Sequence, residues 1–207
     1  THGTVFDPAC GSGGMFVQSA RIVERHHQNP SQELTFRGLE KNKTTINLAK
    51  MNLAVHGLEG DIQQALTYYE DPLNLFKRCD YVMANPPFNV DEVDADKIKN
   101  DPRLPFGLPG VTTTKGKNNG DSKAKGRVQN ANYLWIQYFY SYLNETGRAG
   151  FVMSSQASSA GRDEAAVRRR LVETGDVDVM VAIRGNFFYT RTVPCELWFF
   201  DRAKAEA

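Results

Sequence analysis

Residues 4–14, Thr-Val-Phe-Asp-Pro-Ala-Cys-Gly-Ser-Gly-Gly, constrain the fold of this chain more than any other segment. A short apolar run ends in Asp7 and enters a turn carrying Gly11, Gly13 and Gly14. Glycine lacks a Cβ, so such a turn can bend sharply and its backbone can approach a ligand closely. Residues 15–27 follow with Phe16, Ala20 and Val23 near one face, a helical spacing. A strand that passes through a glycine turn into a helix leaves the helix's first N–H groups free and partly positive. That end suits an anion such as phosphate or a carboxylate. The dinucleotide pattern GxGxxG is not met, because Gly11-Ser12-Gly13-Gly14-Met15-Phe16 closes on Phe. Asp7, just before the turn, fits a cationic amino group better than a pyrophosphate.

The unit repeats downstream. Residues 34–39 read as a second strand ending in Glu40, and residues 44–56 as a helix stopped by Gly57. Residues 61–65 form a short third strand and residues 79–84 a fourth. From 89 to 132 the periodicity fades and Asp, Lys, Gly and Asn dominate, so a flexible loop is expected there. It holds the chain's one strong charge bias: Lys115, Lys117, Lys123, Lys125 and Arg127 against Asp121 alone. Those cations are candidate DNA-phosphate contacts; the competing reading is a solvated loop. Order resumes with an aromatic-rich helix at 133–143 and a strand at 150–153. A helix at 164–173 and strands at 177–183 and 195–200 complete the chain, the last two positioned to pair antiparallel. Alternating strands and helices imply a single α/β domain over 1–207, a mostly parallel sheet with ligands at the strands' carboxyl ends.

At that edge two further acids are candidate cofactor contacts. Glu40, at the end of the second strand, can accept from ribose hydroxyls. Asp61 can accept from an adenine amino group, or be an ordinary turn residue. The most specific segment is Asn85-Pro86-Pro87-Phe88, which directly follows the apolar run Tyr81-Val82-Met83-Ala84. Two prolines remove two N–H donors and fix two φ angles while their carbonyls still accept. The result is a rigid, acceptor-rich corner with an aromatic face after it. This suits an amino nitrogen whose lone pair is delocalised into a ring, as in adenine. Two acceptors, the Asn85 amide oxygen and the Pro86 carbonyl, can bind both amino hydrogens and free the lone pair for attack on a methyl donor. Phe88 would stack on the base, which must first leave the duplex.

With DPACGSGG (7–14) and NPPF (85–88) both in place, the sequence resembles the N6-adenine DNA methyltransferases, and within them the modification subunit of type I restriction-modification systems. Segments 7–20, 38–57, 80–89, 130–153 and 187–202 carry the resemblance across nearly the whole chain. It implies a Rossmann-like class I S-adenosylmethionine-dependent methyltransferase fold. It implies cofactor contacts at Asp7, Cys10, Gly11, Ser12, Gly13 and Gly14, with Glu40 on ribose and Asp61 near the cofactor adenine. Catalytic roles fall to Asn85, Pro86, Pro87 and Phe88. The implied partners are DNA, a specificity subunit and a restriction subunit. In this family a further cofactor motif and a helical domain come earlier in the chain, so the 207 residues read as a catalytic core.

Composition excludes little. The net charge is +1, so attraction to phosphate must be local. Cys10, Cys79 and Cys195 are odd in number and far apart, giving neither a disulfide framework nor a metal pattern, in keeping with a reducing, cytoplasmic setting. Neither a membrane span nor a secretion leader is read. Alternatives remain: a glutamine-side-chain or RNA N-methyltransferase of the same fold, a non-catalytic cofactor-binding module, or a nucleotide-dependent oxidoreductase. The glutamine enzymes usually carry Tyr where Phe88 stands. Arg168-Arg169-Arg170 reads as a solvated helix face. The aromatics of 133–142 read as core or interface, and Phe187-Phe188-Tyr189 as a cover for a flipped base.

Overall fold

The computed structural model describes residues 3–114, 125–189 and 192–204. In chain order the elements are β1 (Gly3–Asp7), α1 (Gly14–Arg25), α2 (Pro30–Glu33), β2 (Leu34–Glu40), α3 (Lys43–Val55), β3 (Gly60–Gln64) and β4 (Cys79–Ala84). Then come β5 (Val93–Asp94), α4 (Ala95–Ile98), β6 (Val111–Thr114), β7 (Lys125–Val128), α5 (Asn132–Tyr142), β8 (Leu143–Ser154), α6 (Gln156–Ser159), α7 (Arg162–Glu173), β9 (Val177–Ile183) and β10 (Cys195–Asp201).

Seven strands form one sheet in the order β3-β2-β1-β4-β8-β10-β9. The pairs from β3 to β8 are parallel, and β10 runs antiparallel to both β8 and β9. The expected parallel sheet with an antiparallel C-terminal pair is therefore present. The strand order reverses between β1 and β4, and a crevice opens outside the carboxyl ends of strands at such a point.

Side chains alternate across each strand and feed two cores. Val5 and Phe36 face α1 and α3, packing with Phe16, Val17, Ala49 and Leu53. Phe6, Val82 and Ala84 face the opposite way, against α5, with Tyr138, Phe139, Tyr142, Phe151 and Trp198. All of α5 except Tyr140 is buried. Its aromatics on several faces are thus core, with Phe139 against Phe151 at a 4.7 Å ring separation and Trp135 stacked on Phe139 at 5.9 Å. On the outer strands the α1 side of the sheet is bare: Val179 and Phe199 are register partners and are 45% and 37% exposed.

Segment 89–132 departs from the expected flexible loop. Among its described residues it forms a second, antiparallel sheet, β5-β7-β6, with α4 alongside. Val93, Ile98 and Val128 are buried against the same core as α5. Gln137 of α5, wholly buried, pins the segment by accepting from the Phe106 N–H (2.9 Å) and donating to the Gly107 carbonyl (2.9 Å). Strands of two to four residues carry no readable period, and only these distant contacts hold them in place. Lys115, Lys117 and Lys123 lie outside the described residues.

Candidate active site

β1 delivers Asp7 to the crevice with its side chain only 2% exposed. Its carboxylate accepts from the Ala9 N–H at 2.9 Å, the one hydrogen bond it makes among the described residues. Burial pushes its pKa up from 3.8 to about 7; the Ala9 bond opposes this, and the nearby Glu40 charge adds to it. The turn that follows is held from three sides. The Cys10 N–H donates to the Leu39 carbonyl (3.0 Å), Asn52 of α3 donates to the Ser12 carbonyl (2.9 Å), and the Thr67 hydroxyl donates to the Pro8 carbonyl. Gly11 and Gly13 take φ of +53° and +77°, the left-handed region where a Cβ is costly. Gly13 caps α1 without a side-chain bond, so the first N–H groups of that helix remain available to a ligand.

Cys10 is buried in this turn, and its thiol is pushed well up by that burial and by Asp7 and Glu40. It is no thiolate nucleophile. Ser12 and Gly14 are exposed on the turn's outer side. Glu40 ends β2, half-buried, and accepts from the Asn42 N–H at 2.9 Å, while Asn42 in turn caps α3. Neither Asp7 nor Glu40 is ion-paired among the described residues.

A cleft of about 300 Å³ opens at Pro8 and Ala9 of this turn and at Glu40. Pro8, Ala9, Leu39, Ala65, Leu66, Pro87, Val90 and Trp135 supply apolar walls, and Glu40, Lys41, Thr67 and Tyr68 complete it. The ends of β1, β2 and β3 and the NPPF turn after β4 thus meet in one place. Most of this lining (Lys41, residues 65–68, Val90 and Trp135) is invisible in the sequence as a site, because these ordinary residues, most of them apolar, come from four separate segments.

The NPPF turn leaves a central strand whose Val82 and Ala84 are fully buried. Asn85 is exposed and hydrogen-bonds to none of the described residues; Pro86 is buried and Pro87 exposed. Phe88, expected to present a free aromatic face, is half-buried against the core, so only part of the ring is open.

Asp61 is not part of this arrangement. β3 begins one residue before it and ends at Gln64, so Asp61 stands at the opposite edge of the sheet. There it pairs with Arg37, its register partner, at 2.6 Å. A larger concavity of about 600 Å³ lies beside it, lined by residues 34–37 and 57–61 and remote from both motifs. Arg168 also departs from its sequence reading as solvated. It donates to the carbonyls of Ala157 (3.0 Å) and Ala160 (2.8 Å) and to the Tyr133 hydroxyl (3.1 Å). Arg170, exposed, donates to the Phe106 carbonyl, and Arg169, also exposed, pairs with Glu173. Arg127 is half-buried and bonds to the Glu92 carbonyl, and of Lys125 the backbone lies in β7. Phe187, Phe188 and Tyr189 are exposed beyond β9. They emerge at the crevice edge, since Cys195 pairs with Ser154 at the carboxyl end of β8. No helix among the described residues is long and apolar enough to cross a membrane.

The donor set fits a ligand that carries a positive charge, an anionic group and a flat apolar ring. Among the described residues, two carboxylates without an ion pair, Asp7 and Glu40, stand near a free helix N-terminus and an apolar slot. Comparison with known proteins agrees. The family described as N-6 DNA Methylase matches residues 1–207. The type I restriction enzyme MjaIX methylase subunit of Methanocaldococcus jannaschii is 40% identical over 205 residues, covering 99% of this chain and 34% of that protein. The type I restriction-modification methyltransferase subunit from Streptococcus thermophilus superposes with a TM-score of 0.78 at 24% identity, over 96% of this chain and 39% of that one. A class I S-adenosylmethionine-dependent methyltransferase from Listeria monocytogenes gives 0.71 at 13% identity, over 100% and 55%. These two structures share the fold. The chain spans about a third of the length of the curated relative.

Proposed function

The chain belongs to the N-6 DNA methylase family, and from that premise we propose that it is the catalytic core of a type I restriction-modification methyltransferase, transferring a methyl group from S-adenosylmethionine to the N6 amino group of adenine in DNA. The observation that supports this reading is one cleft lined by Pro8 and Ala9 of the turn after β1, by Glu40 and by Pro87 of the NPPF turn. S-adenosylmethionine, when bound, supplies an electrophilic methyl group on a sulfonium centre.

This chain's residues supply alignment and electrostatics. Asp7, unpaired in a dry site, holds the amino group of the methionine moiety; with Cys10 and Ser12, the turn at Gly11, Gly13 and Gly14 admits its backbone and the N-terminus of α1 takes its carboxylate. Glu40 accepts from the ribose hydroxyls. Ala65, Leu66 and Pro87 would hold the adenine ring of the cofactor, the part first expected of Asp61. Asn85 and the Pro86 carbonyl accept the two amino hydrogens of the target base, and Pro87 stiffens the corner. The open part of Phe88 covers one ring face, and Phe187 or Phe188 the other. With the amino group held this way, bound S-adenosylmethionine would supply the methyl group to the freed nitrogen lone pair, and the displaced amino proton would leave to solvent. DNA, a specificity subunit and a restriction subunit are the partners of this reading, and the cytoplasm its setting. The cations of 115–127 serve as its phosphate contacts.

Calorimetry with S-adenosylmethionine on the wild type, Asp7→Ala and Asn85→Ala tests it. Binding should be lost in Asp7→Ala and kept in Asn85→Ala, and methyl transfer to adenine should be lost in both. Cofactor binding that depends on Asn85 and ignores Asp7 would overturn the assignment.

A further inference from the structure

Asn85 has no hydrogen bond to the described residues, so the place of its amide is set entirely by the turn that carries it. One end of that turn is fixed by β4 in the middle of the sheet. The other end is fixed by α5. Asn132, first residue of α5 and 2% exposed, accepts from the Asn89 N–H at 2.9 Å through Oδ1 and donates from Nδ2 to Asn89 Oδ1 at 2.9 Å. Asn130 donates to the same Asn89 oxygen at 3.2 Å, and its own Oδ1 accepts from the Asn132 N–H at 2.9 Å. The Ala131 N–H closes the set on the Val90 carbonyl at 2.8 Å. Asn89 itself sits at φ +52°, a left-handed conformation that Asn tolerates and that such a network over-determines.

We infer that Asn132 is the positioning residue of the catalytic corner: it locks residues 85–88 to the most buried helix of the fold, so that the Asn85 amide and the Pro86 carbonyl converge on one amino group. Prolines 86 and 87 donate no N–H, so the corner has few backbone bonds of its own. Its C-terminal anchor is therefore a side chain, and the buried α5 makes it rigid. Second contacts of this kind hold reacting groups within a fraction of an ångström, and misplacement by about 1 Å costs about 100-fold in rate.

This inference rests on the proposed methyl transfer, and the test separates the two. Single-turnover methyl transfer to adenine is measured in the intact enzyme on DNA, with S-adenosylmethionine affinity measured beside it. Asn132→Ala should lower the single-turnover rate about 100-fold while cofactor affinity stays within about threefold. Asn132→Asp, which keeps the acceptor for the Asn89 N–H and loses the donor, should recover part of the rate. Asn130→Ala, which removes one peripheral bond, should lose about threefold to tenfold and serves if Asn132→Ala does not fold. A rate within twofold of wild type in these variants overturns the inference, as does a parallel fall in rate, cofactor affinity and melting temperature. A wild type that binds cofactor but methylates no adenine overturns the functional reading, and the role of Asn132 with it.

Discussion

Replacing Asp7 by asparagine should raise the stability of the ligand-free chain relative to wild type progressively as pH rises from about 4.5 to 8, whatever its sign at the acid end. The Asp7 carboxyl is 2% exposed, with a single bond among the described residues, from the Ala9 N–H, and burial raises its pKa from 3.8 to about 7. Between those two values the folded chain keeps a proton that the unfolded chain has released. Stability from this group is therefore greatest below pH 3.8, falls as pH rises, and levels off above about pH 7. A gap of about 3 pH units, at about 1.4 kcal/mol each, makes the ionised carboxylate cost about 4 kcal/mol at pH 8 and about 1 kcal/mol at pH 4.5. Asparagine keeps an oxygen for the Ala9 N–H and carries no charge. Its buried NH2 costs about 1–3 kcal/mol if unpaired, but by the same amount at every pH. The pH-dependent part is diagnostic. In urea unfolding, the stability difference between variant and wild type should grow by about 3 kcal/mol from pH 4.5 to 8. A difference constant within about 0.5 kcal/mol over that range would show that the carboxylate is not desolvated. The role proposed for Asp7 as the counter-charge of a cationic ligand would then lose its physical basis.

Asp61→Ala should leave S-adenosylmethionine affinity within about twofold and cost under about 1 kcal/mol, because its ion pair with Arg37 is a third exposed on each side; calorimetry and urea unfolding read both. Gly13→Ala forces a side chain onto φ +77° with its Cβ 3.5 Å from Ala49. It should cost about 1–2 kcal/mol in thermal unfolding and weaken cofactor binding at least about tenfold. Trp198→Ala empties a fully buried site and removes the indole donor to Glu196 at 3.0 Å. About 3–5 kcal/mol should be lost in urea unfolding, and a loss below about 2 kcal/mol would mean that β10 is loosely packed.

Strands β1 and β4 were legible because each couples an apolar run to a terminator, Gly11 and Gly13 after β1 and Pro86 after β4, and β2 because its apolar run ends in the charged Glu40. Asp61 misled because an acid near a short strand does not show which end of the strand it occupies: it lies at the start of β3, and the start of a parallel strand is at the far edge of the sheet from its carboxyl end. Arg168 misled because a cation in an arginine run gives no sign that three oxygen acceptors will surround it.

The sequence by itself determined the strand–turn–helix unit around Asp7, the acceptor-rich corner at Asn85 and the alternation that makes a parallel sheet. Each of these depends on near neighbours, on φ preference, on missing N–H donors and on periodicity. Only the tertiary structure decided that residues 89–114 and 125–128 form a second small sheet, that Asp61 pairs with Arg37 away from the crevice, and that Asn132 anchors the turn after β4. Those outcomes depend on contacts between residues 11 to 43 positions apart, whose partners are set by packing around α5 and across the sheet, and no local pattern records them.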